Sequence, residues 1–117
     1  MKKIIILLLL SLFATVCGQV DANEYEKIFS SKNVIVDVRT PSEYLYGHIE
    51  KAVNIPFDKI EADIKYFAPD KNQTVVVYCA SGHRASMAEK KLIEMGYKNV
   101  INAGKYKELK KLEEEHK

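Results

Sequence analysis

The chain has 117 residues, of which 47% are hydrophobic and 29% charged. This composition is typical of one globular domain and excludes disordered and collagen-like classes. The formal net charge of +2 comes from 18 Lys and Arg against 16 Asp and Glu, and the first eighteen residues contain two lysines and no acid. Without them the counts are 16 and 16, so no basic excess indicates nucleic-acid binding, and we expect no nucleic-acid partner.

The first eighteen residues are predicted to be a signal peptide. Lys2 and Lys3 precede the largely apolar run Ile4–Val16, which is shorter than the ~20 residues that a membrane-spanning helix needs. We therefore expect no membrane span but export, to the periplasm, with one domain over residues 19–117. The cleavage site stays open, because several small residues precede possible cuts.

Cys17 gives a second interpretation of this leader. The segment Ala14-Thr15-Val16-Cys17 loosely resembles a lipoprotein signal, so a membrane-anchored lipoprotein with a lipid on Cys17 is the alternative to plain secretion. Cys17 and Cys79 are the chain's two cysteines. Since Cys17 lies in or beside a removable leader, we expect Cys79 to be unpaired.

Helices and strands are predicted to alternate along the rest of the chain. In chain order we expect a helix over 22–31, with a capping box from Asp21, a strand over 34–38, a helical turn over 42–46, a short strand over 52–55, a helix over 58–66, a strand over 74–78, a helix over 85–95, a strand over 99–102 and a helix opened by Gly104. The β-branched run over 74–78 is typical of a strand buried on both faces. This alternation predicts an α/β domain with a central parallel sheet and helices on both faces.

A lone cysteine follows the predicted strand over 74–78. The residues after Cys79 are Ala80, Ser81, Gly82, His83 and Arg84. A loop between a strand end and a helix start brings backbone N–H groups and the positive end of the helix dipole together. These groups and a nearby cation stabilise a thiolate. We interpret Cys79 as a nucleophile and residues 80–84 as its anion-binding loop.

Several polar side chains near this loop have two interpretations each. Arg84 is predicted to bind an oxyanion, the alternative being a structural pair with a carboxylate. His83 either tunes donor and acceptor choice or has no further role. Asp37 and Arg39 are interpreted as a local brace of the strand ends, and His48 as a partner of backbone atoms. No cluster has the spacing of metal ligands, so we expect no metal.

Two segments resemble the rhodanese family. Residues 79–84 match its pattern of Cys, two residues, Gly, one residue and Arg. Its other signature is similar to Asp37-Val38-Arg39-Thr40-Pro41-Ser42-Glu43-Tyr44, followed by Gly47-His48-Ile49 and Ala52-Val53-Asn54-Ile55-Pro56. The resemblance runs over about 23–112, and the whole chain is similar to the small single-domain periplasmic rhodaneses of the phage-shock type. Lys51 and the segment Ala103-Gly104-Lys105 depart from the family pattern.

The resemblance implies a rhodanese-like domain and sulfur transfer without a cofactor. Cys79 would take a sulfane sulfur from a small anionic donor such as thiosulfate and form a persulfide. It would then pass that sulfur to cyanide or to a thiol. The N–H groups of Ala80 to Arg84 would hold the outer sulfur.

Two other functions are compatible with these residues. Phosphatases and arsenate reductases of related fold place five residues between their cysteine and arginine, whereas four lie between Cys79 and Arg84. The shorter loop should suit a single sulfur better than a tetrahedral oxyanion. A noncatalytic persulfide carrier or partner-binding module is the second alternative, since a fold does not fix a function.

Overall fold

The computed structural model describes residues 23–117. The predicted leader, Cys17 and the capping position Asp21 lie outside the described residues. The helices are α1 (its described part, 23–29), α2 (Pro41–Leu45), α3 (Ile60–Asp63), α4 (His83–Glu94) and α5 (Tyr106–Glu115), and the strands are β1 (Val34–Asp37), β2 (Val53–Asn54), β3 (Val75–Cys79) and β4 (Val100–Lys105). No helix in this part of the chain is long and apolar enough to cross a membrane.

The four strands form one parallel sheet in the order β2-β1-β3-β4. Its centre is β3, whose five residues are all buried. Runs of Val and Ile suit such a strand because β-branched side chains pack well on both surfaces of a pleated sheet. The predicted parallel α/β sheet is therefore confirmed.

Helices cover both faces of the sheet. Alternate residues of β3 point to opposite sides, so Val77 and Cys79 join one apolar cluster while Val76 and Tyr78 join the other. The first cluster packs against α3 and α4, and the second against α1 and α5. The predicted architecture, with helices on both faces, is thus confirmed.

Several element boundaries differ from the sequence-based expectation. Helix α4 begins at His83 rather than Ala85, because the preceding Gly82 adopts a left-handed conformation that ends the loop. Strand β4 extends to Lys105 past a bulge at Ala103, where the register changes. The expectation that Gly104 opens the last helix is therefore wrong: Gly104 belongs to β4, and α5 begins at Tyr106. The helix predicted over 58–66 is a short α3 between two 3₁₀ turns.

Candidate active site

Cys79 lies at the carboxyl end of the central strand, where its residue is fully buried. Its Sγ accepts hydrogen bonds from the backbone N–H of Gly82 at 3.0 Å and of Ala85 at 3.3 Å. Within residues 23–117 it is a free cysteine. The sulfur therefore sits where loop amides and the first turn of α4 converge, a setting that favours an anionic sulfur.

Gly82 gives the loop its shape. Its φ of +96° lies in the left-handed region, which glycine adopts without a steric penalty. A Cβ at this position would meet no atom within 4 Å, so backbone conformation rather than space requires glycine here. The turn directs the Gly82 N–H to the sulfur.

The predicted substrate-binding residues differ in their relation to the sulfur. Ala80, Ser81 and His83 are exposed, and Gly82 and Arg84 are half-buried. Gly82 is the one whose amide reaches Sγ. The second amide on the sulfur belongs to Ala85, which lies just beyond the predicted loop and which the sequence predicts only as the first residue of a helix.

Arg84 forms a two-pronged pair with Glu43 of α2. Its Nη1 donates to Oε1 at 2.7 Å and its Nη2 to Oε2 at 3.0 Å. Arg84 chiefly lowers the pKa of Glu43, to about 2, and Glu43 in turn raises the pKa of Arg84. Arg84 thus makes the carboxylate contact that was the alternative to anion binding. Anion binding by Arg84 stays a prediction.

Glu43 was not singled out by the sequence-based reasoning. It is the third residue of α2 and forms a capping box with Thr40, whose N–H and Oγ1 both donate to Oε1 at 3.1 Å. The Glu43 N–H donates back to Thr40 Oγ1 at 3.2 Å. The spacing of Thr40 and Glu43 is a recognisable signal for such a cap, but it does not indicate the contact with Arg84.

Asp37 and Arg39 form a second pair at the same edge, and their predicted bracing role is confirmed. Arg39 Nη2 lies 2.6 Å from Asp37 Oδ2 and also donates to the Gly47 carbonyl at 2.7 Å. The Tyr78 hydroxyl donates to Asp37 Oδ2 at 2.8 Å and accepts the Ile49 N–H at 3.0 Å. Burial raises the pKa of Tyr78, so its hydroxyl stays protonated and can donate.

His48 contacts the backbone, as predicted. Its Nδ1 lies 2.8 Å from the Tyr44 carbonyl oxygen, and its ring stacks on the Tyr44 ring with 3.7 Å between centroids. These contacts place the imidazole in the turn that follows α2.

An open groove of about 550 Å³ borders the outer side of the cysteine loop. Its lining includes Ser81 and His83 of the loop, Lys105 at the end of β4 and Glu108 of α5. The groove is a polar surface next to the loop and is large enough for a small molecule. Among residues 23–117, no three His, Cys, Asp or Glu side chains are grouped so that they could hold a metal ion.

The fold and the loop together define a class of protein. It is a parallel α/β domain that holds a cysteine sulfur among backbone amides at a strand end, where such sheets bind their ligands. Comparison with known proteins gives the family. The Rhodanese-like domain family matches residues 21–111, and the chain belongs to this family.

Individual relatives agree with this assignment. Thiosulfate sulfurtransferase PspE of Escherichia coli strain K12 is 43% identical over 74 residues, which cover 63% of this chain and 71% of that protein. A thiosulfate:glutathione sulfurtransferase of Saccharomyces cerevisiae is 36% identical over 78 residues, 57% of this chain and 56% of that protein. A solved rhodanese with anions from E. coli is similar with a TM-score of 0.63 and 43% identity, over 64% of this chain and 88% of that one. The chain is a sulfurtransferase.

Proposed function

We propose that the chain moves a sulfane sulfur from thiosulfate, or a similar anionic donor, through a persulfide on Cys79 to cyanide or a thiol. The observation that carries this proposal is the pair of backbone N–H groups, of Gly82 and Ala85, that donate to Cys79 Sγ. The names of the relatives that act on thiosulfate support the choice of donor.

The first half-reaction loads the sulfur. The Cys79 thiolate attacks the outer sulfur of thiosulfate, so an Sγ–S bond forms and the S–S bond of thiosulfate breaks. The electron pair of that bond leaves with sulfite, so the step needs no external oxidant. The negative charge moves to the outer sulfur of the persulfide, and the loop amides stabilise it there.

The second half-reaction empties the site. Cyanide attacks the outer sulfur, a C–S bond forms, the persulfide S–S bond breaks and its electron pair returns to Cys79 as a thiolate. A thiol acceptor, attacking as a thiolate, becomes a persulfide in the same way. Burial of Cys79 favours such transfers of one terminal atom over transfer of a bulky group.

The test is thiocyanate formation from thiosulfate and cyanide by the wild type and by Cys79→Ser. We expect Cys79→Ser to lose essentially all turnover, because serine cannot carry the sulfur. Mass spectrometry after thiosulfate treatment should show one added sulfur on the wild type and none on the variant. Cys17→Ser, in the full chain, is the matched control and should keep both signals.

Other results would contradict the proposal. Equal thiocyanate rates in the wild type and Cys79→Ser would exclude Cys79 as the sulfur carrier. Turnover of an aryl phosphate without a detectable persulfide would favour the phosphatase chemistry instead. A persulfide that forms but is not transferred to cyanide or to small thiols would favour a carrier that needs a partner protein.

We also propose that residues 1–18 direct export of the domain over 19–117. Two lysines ahead of the apolar run Ile4–Val16 support this proposal. The mass of the mature protein from expressing cells tests it, because cleavage shortens the chain and the lost mass identifies the cleavage site. A full-length cytoplasmic product would contradict export, and a mature N-terminus at a lipid-modified Cys17 would favour the lipoprotein alternative.

A further inference from the structure

The chain has two arginines, Arg39 and Arg84, and each faces a carboxylate. Arg39 lies 2.6 Å from Asp37, and Arg84 lies 2.7 Å from Glu43. Each pair sums to zero charge. The positive field on the sulfur therefore comes from other groups: the backbone amides, the N-terminus of α4 and Lys105, which stands opposite Cys79 in the register of β3 and β4.

Glu43 is held firmly in its place. Its Oε1 accepts from the Thr40 N–H and hydroxyl as well as from Arg84. Because Arg84 and Thr40 lower its pKa to about 2, the carboxylate stays ionised throughout the neutral range. The negative charge of Glu43 therefore stays next to the positive charge of Arg84.

The pair lies within electrostatic reach of the reacting sulfur. Arg84 is the second residue of α4, and the amide of the next residue, Ala85, bonds to Cys79 Sγ. After the contribution of Glu43, the charge of Cys79 also raises the pKa of Arg84. An anion bound at the loop therefore interacts with both members of the pair.

We propose that Glu43 determines which sulfur donors the loop prefers: by cancelling Arg84 it removes the advantage that a dianionic donor would otherwise have over a monoanionic one. This inference rests on the proposed sulfurtransferase function and deepens it. Thiosulfate is the dianionic donor, and methanethiosulfonate is a monoanionic donor with the same transferable sulfur. With the latter, the S–S bond breaks and its electron pair leaves with the sulfinate.

Glu43→Gln isolates the charge of this side chain. Glutamine also serves at the third position of a capping box, so α2 should keep its start. Glu61→Gln is a matched control, because Glu61 pairs with Lys91 at 3.5 Å and Lys91 lies seven residues beyond Arg84, about 10 Å further along α4. Both variants remove one carboxylate charge from an ion pair.

The experiment measures kcat/KM for each donor at low ionic strength. In a double displacement this parameter reports the loading half-reaction alone, so the acceptor does not influence it. We expect the thiosulfate to methanethiosulfonate ratio to rise about fivefold in Glu43→Gln, since the lost charge acts on one more unit charge in the dianion. The ratio should stay at the wild-type value in Glu61→Gln.

The ratio of the two kcat/KM values distinguishes an effect of the Glu43 charge on donor preference from a merely structural role of Glu43. Any change in the reactivity of the thiol affects both donors and cancels, and so does a general loss of loop order. A ratio that is unchanged or lower in Glu43→Gln would overturn the inference, even if both rates fell together. Persistent turnover in Cys79→Ser would instead overturn the proposed function.

Salt dependence gives a second measurement. Screening weakens attraction between exposed charges, and Glu43→Gln leaves Arg84 unbalanced. We therefore expect kcat/KM for thiosulfate to fall more steeply with added salt in Glu43→Gln than in the wild type. Equal slopes in the two proteins would contradict the inference.

Discussion

The two arginine–carboxylate pairs at the carboxyl edge of the sheet have the same chemistry and different surroundings. The side chains of Arg39 and Asp37 are 7% and 0% exposed, whereas those of Arg84 and Glu43 are 24% and 34% exposed. The first pair is tied to Tyr78, and the second borders the cysteine loop. The buried pair therefore stabilises the fold, whereas the half-exposed pair can interact with a bound anion.

The largest effect is expected when the buried pair is broken. Asp37→Asn leaves the Arg39 guanidinium buried without its counter-charge, which costs about 3–5 kcal/mol in comparable pairs. The free energy of unfolding, from urea titration, should fall by that order. Asp58→Asn is the matched control, because Asp58 is exposed on the surface, and it should change the free energy little.

A small decrease in the free energy of unfolding of Asp37→Asn would contradict the structural role given to the buried pair. If its free energy of unfolding matched that of the Asp58→Asn control, the carboxylate of the buried pair would contribute no more than an exposed carboxylate. The brace would then be attributed to the apolar packing around it rather than to the charges of Asp37 and Arg39.

An intermediate effect is expected from Tyr78→Phe. The change removes the donor to Asp37 Oδ2 and leaves the buried Ile49 N–H without its acceptor, which costs about 1–3 kcal/mol. Arg39 still faces Asp37, so the loss should be smaller than in Asp37→Asn. Tyr46→Phe is the control, because Tyr46 is 93% exposed. An equal change in the free energy of unfolding in the two variants would show that the hydrogen bonds of Tyr78 do not contribute to stability.

The features that the sequence predicted correctly depend on residues that are neighbours in the chain. The buried strands follow from runs of β-branched residues, and the position of Cys79 follows from the end of such a run. Asp37 and Arg39 stand two residues apart at a strand end, which is enough to predict a brace. These features are local, and the structure confirms them.

What the sequence did not predict depends on distant parts of the chain. Glu43 and Arg84 are 41 residues apart, and their contact exists because α2 and the cysteine loop follow adjacent parallel strands. The start of α4 and the length of β4 were also misplaced. Gly82 ends the loop, so α4 begins two residues earlier than expected, and the bulge at Ala103 lets β4 continue along β3.

The smallest expected effect is on the half-exposed pair. Because the pKa of Glu43 is about 2 in the folded protein and ~4.3 in an unfolded chain, its ionised form favours folding. This contribution is fully present above about pH 4.5 and is lost as the pH falls toward 2. Glu43→Gln should therefore lower the free energy of unfolding at pH 7, by only about 0.2–1 kcal/mol, since solvent screens the pair.

The pH dependence identifies the source of that small difference. Urea titrations at pH 7 and pH 3 should show that the difference in free energy of unfolding between the wild type and Glu43→Gln is smaller at pH 3, because Glu43 of the unfolded chain is protonated there while Glu43 of the folded protein is still mostly ionised. Glu61→Gln should show a smaller gap at pH 7, since Glu61 and Lys91 are 67% and 44% exposed and 3.5 Å apart. A gap for Glu43→Gln that did not change with pH would come from packing or capping, and Glu43 would then contribute nothing to stability through its charge.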